Sequence, residues 1–237
     1  VGLDTTAHVI GTMRDTLPDD PWRPHFEVPA VLAALVAKGA LGQKAKAGFY
    51  RKQGREIQVL DPGAGDYRAS AGAVDPEVAA ILAIAHPGEK LAKLRAHPHP
   101  QAQFLWAIFR DVFHYCAHQL AAIADNARDV DLAIRWGFGW QMGPFETWQA
   151  AGWAEVAGWI AEDVAAKKSL AAVPLPAWVS GAKVGAAKGV HAPGGAYSAA
   201  QDAFVPRSAL PVYRRQRYPD PVLGERFDRG TTVFETD

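Results

Sequence analysis

Histidines are the residues of this sequence whose spacing first suggests chemistry. His114 and His118 lie in the run HYCAH, and a spacing of four places both side chains on one face of a helix. Two imidazoles so placed could bind zinc, but the glutamate of a His-Glu-x-x-His motif is missing and no third ligand is indicated. A zinc hydrolase remains an alternative, and packed or surface histidines are the default expectation. His97 and His99 stand between prolines, which favours an exposed turn over a catalytic base.

The glycine-containing segments do not match a nucleotide site. The stretch Gly42–Gly48 contains Lys44 and Lys46, but it departs from the GxxxxGK[ST] pattern and no strand is predicted before it. Gly137-Phe138-Gly139 ends a predicted helix instead of opening one, which is the wrong context for a dinucleotide fingerprint. We therefore predict that these 237 residues carry no catalytic residue, no cofactor site and no metal site.

Composition limits the classes of function further. The chain has 237 residues, and its hydrophobic content of 49% is sufficient for a proper core. Lys plus Arg and Asp plus Glu both number 25, so the formal net charge is zero and no nucleic-acid partner is indicated. No apolar run reaches the roughly 18 to 20 residues that a membrane span requires. The single cysteine, Cys116, excludes an internal disulfide and predicts a cytoplasmic location.

The element that organises the chain is a corner between two helices within residues 129–152. The first helix is predicted to begin with Asp129 as its N-cap and to end near Trp136, because Gly137 and Gly139 favour an exit through a turn. Gly143-Pro144 then restarts a helix, since proline suits a first helical position. The corner is expected to consist of Gly137, Gly139, Gly143 and Pro144, with Phe138, Trp140, Met142, Phe145 and Trp148 crowded around it.

Hydrophobic periodicity predicts the other helices. They cover residues 1–18 with Asp4 as N-cap, the segment from Pro29 to Gly39, and residues 76–85, 89–96, 101–126 and 152–168. A hairpin is expected around Gln53-Gly54, and residues 61–75 are expected to be an irregular connector. The buried face of the longest helix is predicted to contain Leu105, Ile108, Phe109, Val112, Cys116, Leu120 and Ile123.

An internal repeat divides the chain. Gly2 with its following helix matches Gly152, Pro29-Ala30-Val31 matches Pro176-Ala177-Trp178, and Gly48-Phe49-Tyr50 matches Gly195-Ala196-Tyr197. We interpret residues 1–75 as the remainder of a first helical repeat with a connector, and residues 76–205 as a second repeat. Residues 206–237 mix Arg, Pro, Tyr and Asp without periodicity and are interpreted as an extended linker. Within the linker, the basic cluster at residues 214–217 is interpreted as a solvated or docking patch.

The corner sequence also resembles a known family. The pattern DVDxAxxxGFGWxMGPFExW, from Asp129 to Trp148, resembles the C-terminal helical domain of the 3-hydroxyacyl-CoA dehydrogenases of fatty-acid β-oxidation. The opening Gly2-Leu3-Asp4-Thr5 is similar to the family's GLDT, and residues 41–50 are similar to its LGxKxxxGFY. The resemblance covers nearly all of residues 1–205. It implies a mainly α fold in which a helical domain with short β-hairpins is duplicated.

The resemblance also implies an activity that resides elsewhere. In this family a Rossmann domain binds NAD and carries a His–Glu pair, and the histidine takes the proton of the 3-hydroxyl while hydride passes to the nicotinamide. The helical domain closes over the acyl-CoA, supplies an asparagine from the first repeat, and makes dimer-type contacts. The NAD domain, the His–Glu pair and that asparagine are expected upstream of Val1, so the chain is interpreted as a piece of a larger protein and expected to be inactive alone.

Several residues depart from the family pattern. The second repeat has Phe104-Leu105-Trp106 where the asparagine is expected, and Gln149 where an acidic residue is common. Ala45-Lys46-Ala47 replaces the usual Thr-Gly-Lys. The second repeat is therefore interpreted as architectural. The end of the chain, TTVFETD, is similar to the junction in fused bacterial enzymes where an enoyl-CoA hydratase domain follows. The alternative from another class is a self-standing, non-catalytic helical interaction module.

Overall fold

The fold is mainly α with short β-hairpins, as predicted from the sequence. The computed structural model describes residues 2–70, 72–208, 210 and 221–224. These residues form eight α-helices and two small three-stranded antiparallel sheets. The chain divides into two compact units, Val1–Val74 and Asp75–Asp237, which we call unit 1 and unit 2. The division of the chain into two repeats and a linker stays a prediction, and most of residues 206–237 lie outside the described residues.

Unit 1 contains two helices followed by a β-meander. Its elements are α1 (Leu3–Thr16), α2 (Ala30–Ala37), β1 (Tyr50–Gln53), β2 (Glu56–Asp61) and β3 (Asp66–Ala69). The predicted hairpin is confirmed, since Gln53 pairs with Glu56 across the β1–β2 turn. The prediction of Asp4 as N-cap is wrong, because Gly2 is the N-cap and Asp4 lies in the first turn.

The interpretation of residues 61–75 as irregular is wrong in part. The Asp61 carboxylate accepts hydrogen bonds from the backbone N–H groups of Gly63 and Ala64 at 2.9 and 3.1 Å, which closes a tight turn. The chain then returns as strand β3 alongside β2, with Leu60 opposite Tyr67. The Gly- and Asp-rich composition therefore belongs to the turn of a second hairpin.

Unit 2 begins with four helices that have side-chain caps. Asp75, His86, His99 and Asn126 each accept a hydrogen bond from a backbone N–H of the first turn that follows. The helices capped by Asp75, His86 and His99 each begin with a proline, whose missing N–H would have no partner within the helix at that position. The helices of unit 2 are α3 (Pro76–Leu82), α4 (Pro87–Ala96), α5 (Pro100–Ile123), α6 (Ala127–Phe138), α7 (Pro144–Ala165) and α8 (Ala182–Ala187).

The buried face of α5 differs from the predicted one by about one residue. The fully buried residues are Ala102, Trp106, Arg110, Phe113, His114, Ala117 and Leu120, whereas Ile108 and Ile123 are exposed. Arg110 can be buried because Asp111 and Asp163 accept its hydrogen bonds at 2.7 and 3.3 Å. Two polar residues on the buried stripe therefore hid the true face from a purely hydrophobic pattern.

The boundaries of α6 also correct the prediction. Asn126 is the N-cap, and Asp129 lies inside the first turn. The helix continues past Trp136 through Gly137 to Phe138, and it ends at Gly139, whose φ of 71° is left-handed. One glycine inside a helix costs only about 1 kcal/mol, so it does not by itself end the helix.

The second sheet and α7 complete unit 2. Helix α7 starts at Pro144 as predicted and is kinked at Gly152, where φ is 103°. The sheet consists of β4 (His191–Ala192), β5 (Gly195–Ser198) and β6 (Ala203–Val205). Aromatic rings stack within α7, where Trp148 and Trp153 lie 4.2 Å apart between ring centroids, and Trp178 stacks on Tyr197 of β5 at 5.3 Å. No helix in the described part of the chain has the length and apolarity that a membrane crossing requires.

Candidate functional site

The candidate site is the α6–α7 corner, residues 137–145. Gly137 and Phe138 form the last turn of α6, Gly139 caps it, and Gly143 is the N-cap of α7. The exposed fractions of Phe138 and Trp140 are 75% and 38%, whereas Gly143, Pro144 and Phe145 are buried. Met142 is half-buried. The corner therefore has an outer aromatic edge and a sealed inner edge.

The inner edge is organised by Asp131 of α6. Its Oδ1 accepts the backbone N–H of Phe145 at 2.8 Å, and its Oδ2 lies 2.7 Å from Nε2 of His191 on β4. Asp131 and His191 have exposed fractions of 0% and 1%. One carboxylate thus joins three elements: helix α6, the start of α7, and the sheet.

Gly143 is required by the close approach of the two helices at this carboxylate. A Cβ atom on Gly143 would lie 2.2 Å from Oδ1 of Asp131 and 2.4 Å from its Cα. The backbone of Gly143 itself is extended, so the requirement is one of space and not of conformation. The GP pair of the sequence motif therefore combines a contact that only glycine allows with a proline that starts a helix.

A second buried carboxylate, Glu146, holds the corner from the side of α7. Its Oε2 accepts the backbone N–H of Gly143 at 2.7 Å, and its Oε1 accepts a hydrogen bond from Arg135 at 3.1 Å. Its side chain is 3% exposed. Glu146 therefore caps the start of α7 and neutralises Arg135 of α6 at the same time.

Gln149 connects the corner to the backbone of β4. Its side-chain amide donates to the carbonyl oxygen of His191 at 2.9 Å and accepts the N–H of His191 at 2.8 Å. The approach leaves no space for a side chain at Gly189, where a Cβ would lie 2.2 Å from the Gln149 amide oxygen. Gln149, which stands where an acidic residue is common in the resembling family, thus has a defined partner in the backbone of His191.

Burial controls the acidity of these groups. It raises the pKa of Asp131, and this effect exceeds the lowering by His191 and by the backbone donors. Burial also raises the pKa of Glu146, and the charge of Asp131 adds to the increase. The thiol of Cys116 has its pKa raised to about 12 by burial and by the charge of Asp131.

This network has the residue types of a catalytic site but not the access. A general base must come within hydrogen-bond reach of a proton on the substrate, and Asp131 and His191 are both sealed from solvent. The pair instead satisfies buried polar groups of the backbone. We infer that the inner edge of the corner has a structural role and that any contact with a ligand occurs at its outer aromatic edge.

The histidines considered from the sequence lie apart from the corner network. His114 is buried in the core, and burial lowers its pKa. Among the described residues no group of three or more His, Cys, Asp or Glu side chains could hold a metal ion. His97 lies 3.0 Å from Glu77. The side chain of this glutamate is 78% exposed, so the pair lies at the surface and not in the corner network.

Sequence reasoning missed the centre of the site. Asp131 and Glu146 both stand in the quoted motif, yet His191, the partner of Asp131, lies 60 residues further along the chain. No local pattern points to such a pair. The available signal was the pair of glycines, Gly137 and Gly139, followed by the Gly143-Pro144 step, which predicted a corner but not its contacts. The assignment of residues 137–145 as a functional cleft stays a prediction.

Comparison with known proteins supports the resemblance found in the sequence. A probable 3-hydroxyacyl-CoA dehydrogenase of Bacillus subtilis (strain 168) is 34% identical over 173 residues, which cover 68% of this chain and 22% of that protein. A putative fatty acid oxidation complex trifunctional enzyme of Rickettsia felis is 23% identical over 184 residues, covering 76% of this chain and 23% of that protein. No family model and no solved structure matches the chain.

These matches place the chain among relatives of fatty-acid-oxidation enzymes. More narrowly, the chain is related to the 3-hydroxyacyl-CoA dehydrogenases, as the motif at residues 129–148 predicted. It spans less than a quarter of the length of the two curated relatives.

Proposed function

We propose that the chain is the helical, non-catalytic region of an NAD-dependent 3-hydroxyacyl-CoA dehydrogenase that oxidises 3-hydroxyacyl-CoA to 3-oxoacyl-CoA in fatty-acid β-oxidation. The observation that carries this proposal is the 34% identity to a probable 3-hydroxyacyl-CoA dehydrogenase over 68% of the chain. The structural support is the sealed corner, in which Asp131, Glu146 and His191 serve the backbone.

The proposed NAD site lies on another domain. A dinucleotide site of the Rossmann type needs parallel strands joined by helices, and both sheets in the described part of the chain are antiparallel. The residues present therefore do not fit the cofactor. We assign NAD and the catalytic His–Glu pair to a Rossmann domain outside these 237 residues, and a hydratase domain is the proposed further partner.

The proposed work of this region is to form one wall of the acyl-CoA cleft. The outer edge of the corner carries Phe138 and Trp140, whose exposed fractions are 75% and 38%. Neighbouring exposed aromatic side chains are uncommon on a surface without a partner. An acyl chain or an adjoining domain would cover them, while the polar network behind them holds their backbone in place.

The first test compares NADH oxidation with acetoacetyl-CoA by this chain and by the longer protein. We expect turnover by the longer protein and none by the chain alone. Turnover by the chain alone would contradict the proposal, because it requires a nucleotide site within these residues. Within the longer protein, Phe138→Ser should raise KM for the acyl-CoA, whereas Ile123→Ser, which changes another exposed apolar side chain, should leave KM unchanged.

One observation favours a second function, a non-catalytic interaction module. The same exposed aromatic residues, Phe138 and Trp140, would also suit a protein partner. Under this alternative the longer protein does not oxidise NADH, and Phe138→Ser weakens the association with that partner. The activity assay therefore separates the two functions.

A further inference from the structure

A cleft in unit 2 lies between three helices and is lined mainly by charged and aromatic side chains. Helices α4, α5 and α7 pack against one another around it. Its volume is about 370 Å³, within the range of about 300–1,000 Å³ that small-molecule sites occupy. The lining residues lie outside the α6–α7 corner, and they include Arg95, Trp106, Arg110, Trp159, Asp163 and Lys168.

The floor of the cleft, formed by Trp106, Arg110 and Asp163, is a set of buried polar groups that satisfy one another. Oδ2 of Asp163 accepts a hydrogen bond from the indole N–H of Trp106 at 2.7 Å and from Arg110 at 3.3 Å. Arg110 also donates to Asp111 at 2.7 Å. All three floor residues are at most 5% exposed. Because their charges already have partners, the floor fixes the shape of the cleft and leaves binding to the more exposed groups at its rim.

The rim carries two cations, Arg95 and Lys168, whose hydrogen-bonding capacity the fold does not use up. Among the described residues Nη2 of Arg95 has acceptors in Glu162 at 2.6 Å and Asp163 at 3.6 Å, whereas its buried Nε has none. A buried donor without an acceptor costs about 1–3 kcal/mol. Lys168 is exposed, and in the described part of the chain no carboxylate pairs with its ammonium group. Both cations are therefore suited to an added anion.

The end of α7 brings Lys168 to the cleft through a left-handed turn. The backbone N–H of Lys168 donates to the carbonyl oxygen of Asp163 at 2.9 Å, and that of Lys167 donates to Val164 at 3.0 Å. This pair of bonds is a Schellman motif, in which Lys167 has the left-handed φ of 57°. Glycine is the usual residue there, because a side chain at this φ costs about 1–2 kcal/mol. The turn returns the chain towards Asp163, which lines the same cleft.

Trp159 gives the cleft a flat apolar wall. Its ring meets the buried ring of Trp106 edge-on, with centroids 5.9 Å apart. The Arg95 guanidinium lies 5.8 Å from the centroid of the Trp159 ring, and Trp159 itself is half-buried. Planar rings stack on an indole, and a cation at this distance is attracted to the ring. The cleft therefore combines one aromatic surface with two cations at its rim.

We propose that this cleft binds a phosphate monoester of a planar ring compound. The phosphate oxygens accept charge-assisted hydrogen bonds from Arg95 and Lys168, and the ring lies against Trp159. A phosphate monoester carries a charge of about −1.5 to −2 at pH 7, which matches two cations better than a single carboxylate does. The inference rests on the cleft in unit 2 and not on the proposed dehydrogenase activity.

Isothermal titration calorimetry with the 237-residue chain tests the proposal, with phenyl phosphate and AMP as the probes. We expect one-to-one binding of at least one probe, at least about tenfold tighter than that of inorganic phosphate, which lacks the ring, or of adenosine, which lacks the charge. Binding of phenyl phosphate would show that the site accepts a simple aryl phosphate, and binding of AMP alone that it selects a nucleotide. A smaller advantage over the two controls, or no binding of either probe, would overturn the proposal.

Variants at the rim test the assigned cations. Lys168→Met should weaken binding of the probe at least about fivefold, because it removes a charge-assisted hydrogen bond. Lys167→Gly is the matched control, since it removes the neighbouring charge and places glycine at the left-handed φ that glycine favours. Equal effects of the Lys168 and Lys167 substitutions would contradict the assignment.

A third variant is expected to act in the opposite direction. The Glu162 carboxylate is 67% exposed and competes with a phosphate for the guanidinium of Arg95. Glu162→Gln should therefore tighten binding at least about twofold, in line with the modest strength of an exposed ion pair. Unchanged or weaker binding by this variant would contradict the role of Arg95.

The indole N–H resonances of the tryptophans locate the bound probe. We expect the resonances of Trp159 and Trp106 to shift on titration, because both rings line the cleft, and that of Trp140 at the corner to stay in place. Shifts at Trp140 without shifts at Trp159 would place the probe elsewhere and refute the site. Because none of these measurements follows NADH, their failure is distinguishable from failure of the dehydrogenase proposal.

Discussion

A series of glycine substitutions tests whether the corner is fixed by close helix contact. Gly143→Ala should be strongly destabilising, because its Cβ would lie 2.4 Å from Cα and Cβ of Asp131. Ordinary contacts between carbon atoms lie at about 3.5–4.0 Å. The overlap exceeds 1 Å by this comparison, and the opposing atoms include helix backbone, which cannot move aside like the end of a flexible side chain.

The expected magnitude follows from two terms. Overpacking of a filled core costs about 1–3 kcal/mol. Moving α6 away from α7 also lengthens the hydrogen bond from Phe145 to Asp131, now 2.8 Å, and a buried donor left unpaired costs about 1–3 kcal/mol. The two terms together predict that Gly143→Ala lowers the free energy of unfolding by about 2–6 kcal/mol, a large effect for one substitution.

Two nearby glycines are matched controls. A Cβ atom added at Gly137 or at Gly139 would meet no other atom within 4 Å, so space is free at both positions. Gly137→Ala should stabilise α6 by about 0.5–1 kcal/mol, because glycine inside a helix loses more backbone freedom than alanine. Gly139→Ala should destabilise by about 1–2 kcal/mol, because alanine is strained at the left-handed φ of 71°.

Urea denaturation followed by tryptophan fluorescence measures the series. Trp22 lies in unit 1 and the remaining seven of the eight tryptophans lie in unit 2, so the signal reports mainly on the unit that contains the corner. The m-value should stay constant across the variants if only stability changes. A Gly143→Ala protein within about 0.5 kcal/mol of the wild type, or one more stable than Gly137→Ala, would refute the close-contact argument.

Three further predictions concern the groups around the corner and the sheet. Asp131→Ala should destabilise unit 2 by about 3–5 kcal/mol in the same urea assay, because it leaves the buried His191 side chain without its partner. The Asp131→Ala/His191→Ala double variant should be destabilised by less than the sum of the two single effects, because it removes both members of the pair. Full additivity of the two single effects would contradict the pairing. Burial and a neighbouring carboxylate raise the pKa of Tyr197 to about 12, so the folded state keeps the phenolic proton to a higher pH than the unfolded state. The stability that this difference gives is complete below about pH 10 and is lost as the pH rises towards 12. Tyr197→Phe should remove this pH dependence. An absorbance titration at high pH should show one tyrosine ionising late, and its absence would be the contrary result. With a thiol pKa of about 12, Cys116, which is half-buried, should react with a disulfide reagent at pH 8 roughly a thousandfold more slowly in the folded than in the unfolded chain. Comparable rates would show that the fold does not suppress ionisation of the thiol.

Local rules of sequence reasoning predict the elements well and their ends less well. The Gly143-Pro144 step predicts the start of α7, because both residue types are restricted to few backbone positions. Asp129 is the predicted N-cap of α6, whereas the observed N-cap is Asn126. Both side chains can cap a helix, so the sequence alone does not decide between them. The predicted face of α5 is wrong because Arg110 and His114 are buried, the former with a partner on another segment.

The contacts of the candidate site could not be predicted from one sequence. Asp131 meets His191 across 60 residues, and neither residue type is specific to such a pair. Aspartate is mostly a surface residue and histidine is intermediate in burial, so no local rule favours the burial of this pair.

The polar corner also bears on what kind of function the chain can have. An apolar corner could shift by a few tenths of an ångström with little loss, since hydrophobic contact has no preferred direction. Asp131 accepts a hydrogen bond from the backbone N–H of Phe145 and is hydrogen-bonded to the His191 ring. Moving α6 along α7 or away from the sheet therefore breaks at least one buried hydrogen bond. The cost of such a shift fixes the backbone that carries Phe138 and Trp140. A region whose proposed task is to present an aromatic wall to a substrate, while the reacting groups lie on another domain, needs this kind of directional constraint more than it needs reactive side chains of its own.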